Sequence, residues 1–209
     1  MLDTLLSAAQ PLLVPWFTLW SSPVTGVEVL GFVLSVAMVW CNQRLNPLGW
    51  PLSIASSALY GLLFAHSRLL GEASLQLFFI AMAGWGWWCW LRGRDAQGAA
   101  LQVTRLSWRE RAQWAGATLL AWPLLALGLQ HIAGGDLPWL DALPTVGSVA
   151  GTLLLARKKL DNWAVWVAVN VLSVALFAMK GLWLTVLLYS LFTAMAVVGW
   201  RAWARLART

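Results

Sequence analysis

Charge is what this sequence has least of. Only 11% of its 209 residues are Asp, Glu, Lys or Arg, while 60% are apolar; an ordinary soluble domain carries roughly 25% charged residues. So little polar surface cannot cover a water-soluble globule, and the solvent for most of the chain must be lipid. Carboxylates are the scarcer sign, eight against fourteen Lys and Arg, and none falls near the middle of an apolar run. Acidic relays inside a span are the usual device of proton coupling, so their absence argues against an obligatory proton pump. Cysteine is scarce too. Cys41 and Cys89 lie singly in apolar runs with no CxxC pattern, which supports neither a disulfide scaffold nor a zinc site. No G-x-x-x-x-G-K-[ST] and no H-E-x-x-H occurs, so neither an ATP motor nor that metalloprotease chemistry is written here. His66 and His131 stand at the ends of apolar runs, outside any ligand spacing. No catalytic group, cofactor or metal is expected. The early residues hold one charge, Asp3, and no basic stretch, so they do not read as a cleavable signal peptide.

The apolar residues fall into seven stretches near the roughly 20-residue length of a membrane span, at 27–41, 48–65, 73–91, 112–130, 139–156, 163–179 and 182–203. Pro11, Pro15 and Pro23 interrupt the earlier residues 5–20, which read as a short interfacial segment. The net charge of +6 would suggest nucleic acid in a soluble protein. Here the basic residues lie between spans and set topology instead, so no nucleic-acid partner is expected. Segments after spans one, three, five and seven hold twelve of them: Arg44; Arg92, Arg94, Arg105, Arg109 and Arg111; Arg157, Lys158 and Lys159; Arg201, Arg205 and Arg208. The other side has two, Arg68 and Lys180. The positive-inside rule puts the C-terminus in the cytoplasm and the N-terminus outside. An even number of spans would scramble this separation.

The chain also matches itself, without a gap, at an offset of 113 residues. Ala81-Met82-Ala83-x-x-Gly86-Trp87-x-x-Trp90 returns as Ala194-Met195-Ala196-x-x-Gly199-Trp200-x-x-Trp203. Arg44 maps onto Arg157, Trp50 onto Trp163, Arg92 onto Arg205 and Glu28 onto Asp141. Chance matches in an apolar chain involve mainly Leu and Ala, not three Trp pairs, two Arg pairs and a Gly pair in one register. Spans one to three therefore match spans five to seven, and the fourth span returns the chain to its starting side. The expected architecture is an all-α membrane protein of seven transmembrane helices, with two parallel three-helix repeats joined by a central helix. Its parts are an extracytoplasmic or interfacial segment (1–26), a first repeat (27–92), a linker with the central helix (93–138), and a second repeat with a cytoplasmic tail (139–209). Parallel repeats are a recognised transporter plan, with a site between halves that rock.

Polar groups inside spans need a partner or a use. On the sixth span Trp163, Asn170, Ser173 and Phe177 share one helical face, and their images on the second are Trp50, Ser57, Tyr60 and Phe64. On the third, Gln76 stands one turn from Glu72, and their images on the seventh are Tyr189 and Thr185. Trp183 opens the seventh span. Candidate substrate-binding residues are thus Gln76, Asn170, Trp163, Tyr189, Glu72, Trp50, Tyr60, Ser57 and Trp183. Amides offer both donors and acceptors, and Trp and Tyr faces can stack on a flat ring. The alternative for Asn170 and Gln76 is interhelical glue. Gly31 and Pro144, images of each other, mark a candidate hinge; an ordinary membrane-helix Gly and Pro is the alternative. Most of the seventeen Trp, including Trp85, Trp87, Trp88, Trp90, Trp200 and Trp203 beside Arg, read as interfacial anchors.

Two runs carry a resemblance to a known family. Leu155-Ala156-Arg157-Lys158-Lys159-Leu160-Asp161-Asn162-Trp163 leads through Asn170 to Lys180-Gly181-Leu182 and Gly199-Trp200-x-x-Trp203, and Asn46-x-x-Gly49-Trp50-Pro51 leads through Gln76 to Gly86-Trp87-x-x-Trp90. Over about residues 27–203 the chain resembles the PnuC family of nicotinamide riboside transporters. Asn170 departs from the family pattern, where an Asp is common. The resemblance implies a SWEET-like three-one-three fold in the bacterial inner membrane and uptake of nicotinamide riboside by facilitated diffusion for NAD synthesis. It also implies a homotrimer surrounded by membrane lipid and a functional link to a cytoplasmic kinase that traps the substrate. Aromatic faces would hold the pyridinium cation at roughly 0.5–2 kcal/mol per contact. With no Lys or Arg near the middle of a span, rejection of the phosphorylated mononucleotide is expected. A uniporter for another vitamin, such as a thiamine-like cation, or for a sugar remains the alternative. A receptor is disfavoured by loops too short for a signalling domain.

Overall fold

The computed structural model describes residues 10–19, 22–66, 70–94, 98–132, 138–179 and 183–207. Arg68, Lys180 and Arg208 of the topology count lie outside the described residues, as do the side chains of Glu72 and His131. Seven long helices carry the described chain: α1 (Gly26–Gln43), α2 (Gly49–His66), α3 (Leu70–Arg92), α4 (Trp108–Ile132), α5 (Pro138–Ala156), α6 (Asn162–Met179) and α7 (Trp183–Ala204). The shortest have 18 residues, about 27 Å at the helical rise, close to a hydrocarbon core of roughly 30 Å.

Five of these helices (α1, α4, α5, α6 and α7) are long and apolar enough to cross a membrane. In α2 that apolarity is diluted by Ser53, Ser56, Ser57 and Gly61, and in α3 by Gln76 and the run Gly84-Trp85-Gly86-Trp87-Trp88. The large apolar side chains outside the core face outward. Leu119, Leu120 and Leu124 of α4 are each more than 60% exposed, an apolar surface that water would not tolerate at this extent.

Beside the helices, the described residues include one short β-hairpin. After a helical turn at residues 10–13, β1 (Pro15–Leu19) pairs antiparallel with β2 (Ser22–Thr25), Phe17 opposite Val24 and Thr18 opposite Pro23. Three prolines forbid a long helix here, and a two-strand hairpin tolerates them because both strands are edges. The ladder is irregular between Pro15 and Phe17. The Trp16 ring covers Gly26, where any Cβ would collide with it. Thr25 then opens α1 with a capping box: its hydroxyl oxygen accepts from the Glu28 N–H at 3.3 Å, and the Glu28 carboxylate accepts from the Thr25 N–H at 2.8 Å. Ser107 and Glu110 repeat the device at the start of α4.

The described chain divides into two compact units, one of Met1–Asn42 and Asn46–Trp85, the other of Gln43–Leu45 and Gly86–Thr209. The division falls inside α3, ahead of its end at Arg92. The reason is local: Trp90, in the last turn of α3, donates its indole N–H to the Leu155 carbonyl at 3.0 Å and packs on Trp203, with ring centroids 6.2 Å apart.

The offset of 113 residues returns in the backbone. Adding it to α2 (Gly49–His66) gives the bounds of α6 (Asn162–Met179). Leu45 and Lys158, one offset apart, are the non-glycine residues with positive φ, 56° and 51°, among those described. Around them three turn hydrogen bonds recur. Asn46 N–H to Cys41 carbonyl and Lys159 N–H to Leu154 carbonyl are both 2.9 Å. Gly49 to Asn46 and Asn162 to Lys159 are both 3.1 Å, and Trp50 to Pro47 and Trp163 to Leu160 are both 3.2 Å.

Candidate functional site

The candidate residues of the first unit cluster on α2 and α3. The Tyr60 ring lies against Gly31 of α1, so closely that a Cβ there would sit 2.9 Å from the ring. Gly31 is therefore a place of close approach, whatever its part in bending. Tyr60 also stacks on Phe64 one turn along, at 6.3 Å and 27°. On the next residue, Gly61, the absent side chain leaves room for Gln76 of α3, whose Cβ is 3.4 Å from where a Gly61 Cβ would be. The Gln76 stem thus lies against α2 at Gly61. Ser57 is half-buried on the same helix, and Trp50 at its start is buried. Behind this face Ser35 of α1 and Ser56 of α2 share a hydrogen bond of 2.8 Å, and Ser56 also donates to the Gly31 carbonyl at 3.3 Å. Those serines are interhelical glue of the kind membrane helices use.

In the second unit the expected face of α6 is its buried face. Trp163, Asn170 and Ser173 are all 3% exposed or less. A primary amide and a hydroxyl at such depth carry a desolvation cost unless their hydrogen bonds are met. Phe177 continues the face and meets Tyr189 of α7, with ring centroids 5.3 Å apart at 31°, and Tyr189 in turn meets Phe192 edge-on at 5.9 Å. So α6 and α7 offer an aromatic wall of Phe177 and Tyr189 beside the polar pair Asn170 and Ser173. Trp183 is different. It is 54% exposed at the start of α7, a placement that also suits an interfacial ring. Pro144 sits inside α5, where it deletes a helical hydrogen bond. Glu72 lies outside the described residues as far as its side chain is concerned.

Trp163 belongs to a second cluster, at the end of the helices that carries the Arg residues. Its ring fills the notch left by Gly199, where a Cβ would meet it at 2.6 Å, and it meets Trp203 edge-on at 5.5 Å and 89°. Trp203 is fully buried and donates its indole N–H to the Gln43 carbonyl at 3.2 Å; the Gln43 amide donates to the Met195 carbonyl at 2.7 Å. Trp90 and Trp203 are thus interior packing groups, unlike their neighbours Trp87, Trp88 and Trp200, which are exposed like interfacial anchors. The pattern Gly199-x-x-x-Trp203 was the available signal, because positions i and i+4 share a helical face. The Trp163 indole N–H has no hydrogen-bond partner among the described residues, a buried donor that costs about 1–3 kcal/mol until water or a ligand meets it.

Sequence reasoning missed how the linker is fastened. Thr104 pairs with the α5–α6 turn, donating to Lys158 at 3.2 Å and accepting from Leu160 at 2.8 Å. Asp161 takes the Leu106 N–H on one oxygen and the Arg111 guanidinium on the other, both at 2.8 Å. The Lys158 ammonium donates to the Leu101 carbonyl at 3.1 Å and lies 5.2 Å from the centre of the Trp90 ring. Burial there lowers its pKa below the ordinary lysine value. Among the described residues no group of three or more His, Cys, Asp or Glu stands ready for a metal.

The chain is similar to several known proteins. The pattern of the family described as nicotinamide mononucleotide transporter matches residues 25–205. The nicotinamide riboside transporter PnuC of Escherichia coli is 29% identical over 206 residues, covering 87% of this chain and 86% of that protein. The riboflavin/roseoflavin transporter RibM of Streptomyces davaonensis is 27% identical over 192 residues, covering 90% of this chain and 88% of that one. A crystal structure of the vitamin B3 transporter PnuC has the same fold, with a TM-score of 0.71 at 21% identity over 86% of this chain and 80% of that one.

Proposed function

The chain belongs to the nicotinamide mononucleotide transporter family, and on that premise we propose that it carries nicotinamide riboside across a bacterial cytoplasmic membrane by facilitated diffusion. The observation that carries this reading is the family match over residues 25–205, joined to a PnuC relative that spans nearly the whole chain. The residues agree with the ligand's chemistry. A pyridinium ring carrying a carboxamide and a ribose asks for aromatic faces and for groups that both donate and accept. Phe177 and Tyr189 with Asn170 and Ser173 supply them in the second unit; Tyr60 and Phe64 with Gln76 and Ser57 supply them in the first. Trp163 keeps an indole N–H for a water or a ligand. Trp50, Trp183 and Glu72 complete the proposed set, and Gly31 and Pro144 are its proposed hinge.

The offset of 113 residues supports seven spans in two parallel repeats: α2 and α3, the two helices of weaker apolarity, have α6 and α7 as their images, and both of those meet the criterion for a span. Basic residues after α1, α3, α5 and α7 support a cytoplasmic C-terminus and an outer N-terminus. By resemblance the assembly is a homotrimer in lipid, and a cytoplasmic kinase traps the product. The phosphate of the mononucleotide would need a basic partner, yet every Lys or Arg in the described helices stands within the first or last four residues of its helix. The riboside therefore suits these faces better than the mononucleotide.

A second reading, a flavin with its ribityl chain, is favoured by one observation, the RibM relative at 27% identity. Uptake of labelled nicotinamide riboside into proteoliposomes, with unlabelled mononucleotide, riboflavin and thiamine as competitors, separates the readings. The riboside should enter down its gradient without an imposed proton gradient and be displaced by none of the three. Displacement by riboflavin alone would favour the second reading, and mononucleotide uptake at a comparable rate would sink the phosphate argument.

A further inference from the structure

We propose that a groove in the second unit, distinct from the candidate substrate residues, seats one acyl chain of an anionic glycerophospholipid with its phosphate at Arg111 and Arg157. The inference rests on the membrane-spanning reading above. The groove lies among α4, α5 and α6 and has a volume of about 660 Å³, within the usual range of roughly 300–1,000 Å³ for ligand sites. Neither Asn170 nor Tyr189 lines it. Small residues open it: Ala115 on α4, Gly147 and Ala150 on α5, Ala164 and Ala168 on α6. Its one hydroxyl, of Thr118, is spent on the Trp114 carbonyl of its own helix at 2.8 Å, so the walls below the mouth are apolar.

The mouth has the opposite character. Arg111 and Asp161 line it, joined at 2.8 Å, and the Arg111 side chain keeps 45% of its exposure. The Arg157 guanidinium lies 5.8 Å from the centre of the Trp114 ring, which also lines the groove. The acidic groups nearby are engaged: Asp161 accepts from the Leu106 N–H and from Arg111, and Glu110 accepts from the Ser107 N–H with Lys159 at 3.9 Å. Among the described residues Arg111, Arg157 and Lys159 stand here with Asp161 and Glu110. Such a basic mouth at a membrane surface attracts anionic head groups.

Depth selects the occupant. From Arg111 to Leu119 along α4 is eight residues, about 12 Å, and from Asp161 to Leu172 along α6 is eleven, about 16 Å at the helical rise. Both are near half of a hydrocarbon core of roughly 30 Å. A helix from a second copy of the chain would cross the full thickness, whereas a groove one leaflet deep with cations at its rim fits a phospholipid.

The test is native mass spectrometry of the purified full chain after equilibration with equal amounts of phosphatidylglycerol and phosphatidylcholine. Phosphatidylglycerol should be retained in preference. Ala168→Phe and Ala115→Phe, which fill the groove from exposed positions, should abolish retention. Arg111→Gln should reduce the preference by about fivefold, the contribution of one basic residue at an anionic surface. Equal retention of the two lipids, or undiminished retention by both filled variants, overturns the proposal. So does dissociation of the assembly by the filled variants with lipid retention unchanged, which would assign the groove to a second copy. Titration with nicotinamide riboside, run in parallel, should be unchanged in the filled variants. A parent protein that binds lipid but no riboside would defeat the transport reading and leave the lipid site standing.

Discussion

The two proposed three-helix repeats match in backbone at their first turns and differ in what they hang on it. The α1–α2 and α5–α6 turns match in their positive-φ residues and in three hydrogen bonds of equal length. Farther along the helices the side chains trade places. Gly31 with Tyr60 in the first repeat answers Pro144 with Ser173 in the second, a large ring against no side chain in one and a small hydroxyl in the register of a ring in the other. Ser35 and Ser56 are bonded at 2.8 Å; their images are Ser148 and Val169, and Val169 instead fills the notch of Gly147. Gln76 answers Tyr189 and Ser57 answers Asn170. A ligand with a ring at one end and a sugar at the other has no two-fold symmetry, so two copies of one face cannot both read it. The proposed repeats agree at the turns and differ at the residues proposed to touch substrate.

The comparison can be broken most severely at the shared Trp cluster. Trp203→Ala should cost about 3–5 kcal/mol, because it empties a fully buried site; thermal unfolding in detergent should show this, with little change for the exposed Trp200→Ala. Next comes the size exchange. Gly31→Ala should destabilise by about 1–3 kcal/mol through its clash with the Tyr60 ring. Adding Tyr60→Ser, the second repeat's residue, should recover most of that loss, and a double-mutant cycle showing plain additivity would refute the contact. Asn170→Ser, which gives the second repeat the hydroxyl of the first, should weaken riboside binding by about tenfold, or 1.4 kcal/mol, by calorimetry. Gly84→Ala is the smallest change. Nothing lies within 4 Å of the added Cβ, so in a helix interior it should stabilise by about 0.5–1 kcal/mol.

Much of this was legible before any coordinates. The spans 48–65 and 163–179 lie within one residue of α2 and α6, because apolar runs bounded by Asn, Pro and Lys leave helix ends little freedom. The buried face of α6 was readable from the spacing of Trp163, Asn170 and Ser173. The hairpin at Pro15–Thr25 was not, since prolines say what a segment cannot be and not what it pairs with. Thr25-x-x-Glu28 and Ser107-x-x-Glu110 were signals present and unread. Trp90 and Trp203 look like interfacial rings beside Arg in sequence, and only tertiary packing separates them from Trp88. The groove beside Arg111 was illegible because it is made of small residues on three helices, each ordinary alone.

The most direct measurement is calorimetric titration of nicotinamide riboside into the purified protein, repeated with Asn170→Ala and Gln76→Ala. The account predicts saturable binding by the parent and a loss of at least about tenfold in each variant, the size of one buried hydrogen bond to substrate. No binding by the parent, or variants that bind as tightly as it does, would contradict the claim that these two amides read the riboside.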